Sequence, residues 1–110
     1  MPIAALLEFP ATGQDAQAMR ENYERVTREF NNGQLMQRTA DWGGGLISHT
    51  IGYTEGGEWW VVDVWEDQQS MDRFIAKMMP ILQRQPDYAE PNVRVITVHN
   101  IVGAESMAHA

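Results

Sequence analysis

Residues 46–66 read LISHTIGYTEGGEWWVVDVWE, and this stretch decides the fold. Leu46 to Tyr53 alternates, Glu58 to Glu66 is dense in Trp and Val, and Thr54-Glu55-Gly56-Gly57 between them supplies turn residues. Two β-prone runs joined by a short Gly-rich segment spell a β-hairpin. In the second run bulk falls on both parities: Trp59, Val61 and Trp65 on one face, Trp60, Val62 and Val64 on the other. Successive strand side chains point to opposite faces, so both faces of this sheet need cover.

Upstream, Ile3 to Phe9 is a short apolar run stopped by Pro10, which cannot donate to a ladder, and it reads as a first strand. From about Gly13, Ala16, Met19, Tyr23, Val26 and Phe30 recur at three- and four-residue steps, opposite Arg20, Glu21, Glu24, Arg25 and Arg28. That spacing is an amphipathic helix, with Thr12 and Asp15 suited to its start and Asn31-Asn32-Gly33 to its end. Gln34 to Gly45 carries Leu35, Met36 and Trp42 into a Gly43-Gly44-Gly45 hinge, a mobile connection able to cover a pocket.

Downstream, Asp67 or Ser70 caps a second helix whose stripe is Met71, Phe74, Ile75, Met78, Met79 and Leu82. Pro80 is expected to divide it into two pieces. After a Pro86-Asp87 to Pro91-Asn92 connection, Val93 to Val102 is rich in β-branched residues and reads as the last strand. The order βαββαβ makes an α+β, ferredoxin-like domain with an antiparallel four-stranded sheet and two helices on one face. Two helices cover one face only, and a second identical sheet across a twofold axis is the simplest cover for the other, so a homodimer is expected.

The 110 residues fit one domain, assigned to 1–103, with 104–110 as a flexible tail. Hydrophobic residues at 44% and charged ones at 21% describe a chain that folds. A net charge of −7 repels phosphate backbones, so nucleic acid is not an expected partner. Absence of cysteine removes disulfides, thiolate metal sites and thiol catalysis. The N-terminal apolar run has no basic region before it and is interrupted by Glu8, so neither membrane partner nor export is expected, and the location is read as cytoplasmic.

Among polar residues, His49 lies in a strand between Ile47 and Ile51, and Asp63 interrupts an otherwise apolar strand. A buried carboxylate must find a partner. If the hairpin loop has an odd number of residues, His49 and Asp63 stand opposite each other with side chains on one face. Such a pair either satisfies itself structurally or fixes an imidazole tautomer and poises it as a catalytic base. Trp42, Tyr53, Trp59 and Trp60, with Phe74 and Met78 of the second helix, are candidates to line a pocket for a flat ring system; most such residues in small domains are core. His99 and Asn100 point to opposite faces, and Asn100 is a candidate amide donor to a ligand. The three histidines show no metal-ligand spacing, so no metal is expected. Gly43-Gly44-Gly45 lacks the lysine and setting of a phosphate loop, so no tightly bound cofactor is expected either.

Taken together, IAALLEFP at 3–10, LISHTIGYTEGGEWWVVDVWED at 46–67 and VITVHNIV at 95–102 resemble the antibiotic biosynthesis monooxygenase superfamily. The most specific piece is Asp63-Val64-Trp65-Glu66-Asp67 running into the helix that contains Phe74. The resemblance implies a dimeric α+β barrel with a ligand cavity between each sheet and its helices. It also implies chemistry like that of cofactor-independent monooxygenases of aromatic secondary metabolism, with Trp65 at the position of a catalytic strand-end tryptophan. The amide positions of those enzymes fall here on Val61 and on Leu7 or Glu8. The positions of the haem degraders' helix tryptophan and iron-binding histidine fall on Phe74 and near Arg84, which does not favour haem chemistry. An isomerase or cyclase on the same scaffold, and a non-catalytic ligand-binding or stress-related dimer, stay open.

Overall fold

The computed structural model describes residues 1–102. The expected tail over 104–110 lies outside them. Strand β1 (Ile3–Phe9), helix α1 (Ala16–Phe30), the hairpin β2 (Leu46–Tyr53) and β3 (Trp59–Trp65), helix α2 (Gln68–Gln83) and strand β4 (Asn92–Thr97) follow in βαββαβ order. All neighbouring strands are antiparallel, in the order β2-β3-β1-β4, which is the expected ferredoxin-like sheet.

The hairpin register places the later chemistry. Tyr53 pairs with Trp59, so residues 54–58 form an odd-numbered loop, closed by Thr54 N–H to Glu58 O at 2.9 Å. Counting inward from that pair sets His49 opposite Asp63. Further along, Leu46 pairs with Trp65 while Ser48 pairs with Val64, so Ile47 is an extra, bulged residue. The bulge reverses the parity and lets Leu46 and His49 face the helices together, although they are three positions apart.

Both helices start on an aspartate. Asp15 accepts from the Ala18 N–H at 2.8 Å and Asp67 from the Ser70 N–H at 2.8 Å, each satisfying a donor that the first turn leaves free. Helix α1 ends as Asn32 and Gly33 turn left-handed, with Gly33 N–H returning to Arg28 O at 2.7 Å. Helix α2 runs unbroken through Pro80, contrary to the expected division. Pro80 and Ala76 are both exposed, so the carbonyl that loses its donor four residues back lies on the solvent side.

Strand β4 stops at Thr97, five residues before the expected end at Val102. Among the described residues its only ladder partner is β1, where Ile3 pairs with Thr97 and Val98 N–H reaches Pro2 O at 2.9 Å; beyond that the partner strand runs out.

The helix-facing side of the sheet carries the core: Ile3, Ala5, Leu46 and Trp65 pack with Trp42 and Met71. A second cluster joins α1 to α2 through Val26, Phe30, Met78 and Ile81. The connection expected to be mobile contains a 3₁₀ turn (Thr39–Trp42) and buries Trp42 in the first cluster. Gly43, Gly44 and Gly45 then bring the chain back to the sheet, all with positive φ. At Gly45 φ is +85°, and a Cβ there would sit 2.4 Å from the Ser70 Cβ. Gly45→Ala is therefore expected to destabilise the fold by about 2–4 kcal/mol, combining left-handed strain with overpacking. Denaturant unfolding checks this, and a change below about 0.5 kcal/mol would contradict it.

The opposite face holds Leu6, Trp60, Val62, Val64 and Ile96, with Trp60 and Ile96 exposed. No helix among the described residues is long and apolar enough to cross a membrane.

Candidate functional site

Between the sheet and the helices lies a cavity of about 200 Å³. Leu7, Ile51, Trp59 and Val61 form its floor; Met19, Tyr23 and Val26 of α1 and Phe74 and Met78 of α2 form its roof. Trp42 closes one side. The walls are almost wholly apolar, and Gln14, Asn22, Gln85 and Asp87 stand among the polar lining residues. Gln14 Nε2–H donates to Asp87 Oδ2 at 2.9 Å, tying the start of α1 to the connection after α2.

Three polar side chains line this apolar space as a chain. His49 Nδ1 lies 2.5 Å from Asp63 Oδ1, and His49 Nε2 lies 2.8 Å from the Tyr23 hydroxyl. Asp63 is 4% exposed and is paired and hydrogen-bonded across the hairpin with His49, which offsets the cost of burying a carboxylate. As a carboxylate Asp63 only accepts, so the Nδ1–H donates to it. The lone pair then remains on Nε2, and the Tyr23 O–H donates to it. Trp42 lies tilted against the imidazole at 4.7 Å and limits its rotation. Burial, with a smaller contribution from the charge on Asp63, pushes the Tyr23 hydroxyl up to about 12, so it stays a neutral phenol across the physiological range.

Of the residues singled out in the sequence, His49, Asp63, Trp42, Trp59, Phe74 and Met78 meet at this cavity. Trp65 does not line it: the side chain is 1% exposed, packed in the core and touching Phe74 with ring centroids 5.4 Å apart. The strand-end position places Trp65 under the helices rather than in the open space. Tyr53 is exposed and lies in an adjoining groove between α1 and β2, which shares Tyr23, Thr27, Ile51 and Trp59 with the cavity. Trp60 is on the opposite face, beside Glu8. Asn100 lies past the end of β4, exposed and away from the cavity, because the strand that was to carry it stops at Thr97. Leu7 and Val61 make the wall apolar where the resemblance places amides. In the sequence Tyr23 belongs to the apolar stripe of α1; its hydroxyl is the one polar group in that stripe, but what faces it depends on how the helix sits on the sheet. Among the described residues no three His, Asp or Glu side chains gather to hold a metal ion.

No protein-family profile matches the chain, and no curated protein matches its sequence. Solved structures do match. Rv0793 from Mycobacterium tuberculosis superposes with a TM-score of 0.63 at 12% identity, over 94% of this chain and 100% of that one. SnoaB, a cofactor-independent oxygenase from Streptomyces nogalater, gives 0.61 at 16% identity over 92% and 96%. A proposed antibiotic biosynthesis monooxygenase from Chloroflexus aurantiacus J-10-fl gives 0.64 at 11% identity over 94% and 98%. At such identities the likeness is one of backbone architecture, and the chain has the fold of the antibiotic biosynthesis monooxygenase-like proteins.

Proposed function

We propose that this chain is a small-molecule enzyme that takes a proton from an apolar or aromatic substrate held between sheet and helices, in the manner of a cofactor-independent oxygenase. The observation that carries this reading is the His49–Asp63 pair set into the wall of an otherwise apolar cavity. His49 is the proton acceptor and Asp63 the counter-charge for the imidazolium that forms. Trp42, Trp59, Phe74 and Met78 provide flat, polarisable surfaces for a ring. Trp65 acts beneath them as support for Phe74.

The carbanion left by proton removal is electron-rich enough to react with O₂. Conversion of a ring CH₂ to C=O then sends the second oxygen out as water, and the substrate supplies all the electrons. SnoaB shares this fold and is a cofactor-independent oxygenase, which favours that outcome over isomerisation. The cavity corresponds to roughly seven water volumes, space for a skeleton of one ring or two fused rings. The uncovered face with Leu6, Trp60, Val62, Val64 and Ile96 is assigned to a second copy of the chain, giving a homodimer.

The test uses 2-tetralone, a two-ring ketone with an acidic CH₂ whose enol form presents an O–H, in D₂O without O₂. Proton NMR is expected to show protein-catalysed exchange at that CH₂, reduced about 10²–10⁴-fold in His49→Asn. Undiminished exchange in His49→Asn would remove His49 as the base. Failure of such compounds to bind would remove the cavity as a substrate site.

A further inference from the structure

We infer that Tyr23 is the catalytic residue that touches the substrate, passing the substrate's proton to His49, and that the substrate presents an acidic O–H to it. This deepens the proposed function and rests on it. The geometry leaves little alternative. His49 has two ring nitrogens, and both are occupied: Nδ1 faces Asp63 at 2.5 Å and Nε2 faces the Tyr23 hydroxyl at 2.8 Å. Trp42 lies against the ring at 4.7 Å, and the Tyr23 ring lies nearly parallel to it, 6° between planes. A substrate in the cavity therefore meets the imidazole through the phenol. Tyr23 donates its single proton to Nε2, which leaves its oxygen lone pairs free to accept. Tyr23 also lines both the cavity and the groove between α1 and β2.

The step balances without a further reactant. The substrate O–H bond breaks as its proton goes to the Tyr23 oxygen, and the Tyr23 proton moves to His49 Nε2. The phenol is regenerated neutral, the substrate is left as a phenolate or enolate, and the imidazolium keeps its Nδ1–H on Asp63. An O–H acid fits because an oxygen-to-oxygen hydrogen bond to Tyr23 is short and strong, and the enolate it yields is the electron-rich species that the proposed oxygenation needs. The ring carrying that hydroxyl has the flat faces of Trp59 and Phe74, which line the same cavity, to lie against.

The probe is 4-nitrophenol, whose anion absorbs visibly at longer wavelength than the neutral form. Bound to the unaltered chain, it is expected to ionise at a pH at least about one unit lower than when bound to Tyr23→Phe or to His49→Asn, since in each variant the proton acceptor is cut off or lost. Both variants keep the shape of the site, and Asn retains a donor toward Asp63; thermal unfolding confirms that each is folded. If Tyr23→Phe ionises the probe like the unaltered chain while His49→Asn does not, the relay is overturned and His49 acts by direct contact. If neither variant differs from the unaltered chain, or if the probe does not bind, the proposed base fails together with the relay. Imidazole ¹⁵N spectra of Tyr23→Phe give a second readout: His49 is expected to remain unprotonated at Nε2 with probe bound.

Discussion

Trp65→Ala is expected to lower the stability of the fold by about 3–5 kcal/mol, the usual cost of deleting a fully buried large aromatic side chain. Trp65 is the largest side chain with under 2% exposure, and it joins β3 to Trp42, Leu46 and Met71 and to the ring of Phe74. The cavity left behind would undermine Phe74, which is also a wall of the binding space. Trp65→Phe is the milder change, expected to cost about 1–3 kcal/mol, with 2-tetralone still bound. Denaturant midpoints and binding measured on both variants check this. Were Trp65→Ala to cost less than about 1 kcal/mol, the core assignment would be wrong and a direct role at the substrate would be restored.

The second large effect concerns Asp63. Asp63→Asn keeps the shape and an oxygen acceptor for the Nδ1–H but removes the negative charge beside the imidazole. Once His49 has accepted a proton, that charge is its closest counter-ion, 2.5 Å away in a buried setting where solvent screens little. Bound 4-nitrophenol is therefore expected to ionise about 1–3 pH units higher in Asp63→Asn than in the unaltered chain. A spectrophotometric titration reads the shift. An unchanged titration would mean that Asp63 serves only to fill the wall.

The fold was legible because the elements announce themselves locally. Tyr53, Gly56 and Gly57 mark the hairpin, the Ala16 to Phe30 stripe marks α1, and Asp67 before Met71 marks the start of α2. What local reading missed depended on partners. The end of β4 is set by where β1 begins, and the effect of Pro80 by which side of α2 faces solvent. Part of the candidate site followed from counting: an odd loop puts His49 across from Asp63, and the structure has that loop. The bulge at Ile47 did not alter this, because it falls between His49 and the far end of the strand. Tyr23 is different in kind. Its hydroxyl meets His49 across 26 positions of sequence, through helix-on-sheet packing that no periodicity encodes. Trp65 illustrates the converse, since a residue carried over from a family pattern found itself beneath the cavity wall.

The most direct test of the account is the imidazole ¹⁵N spectrum of His49 with and without bound 4-nitrophenol at neutral pH. Without ligand, Nδ1 is predicted to carry the proton and Nε2 to be unprotonated; with ligand ionised in the cavity, both nitrogens are predicted to be protonated. Binding of the probe with the His49 resonances unmoved would contradict the assignment of His49, Asp63 and Tyr23 as a proton-accepting chain.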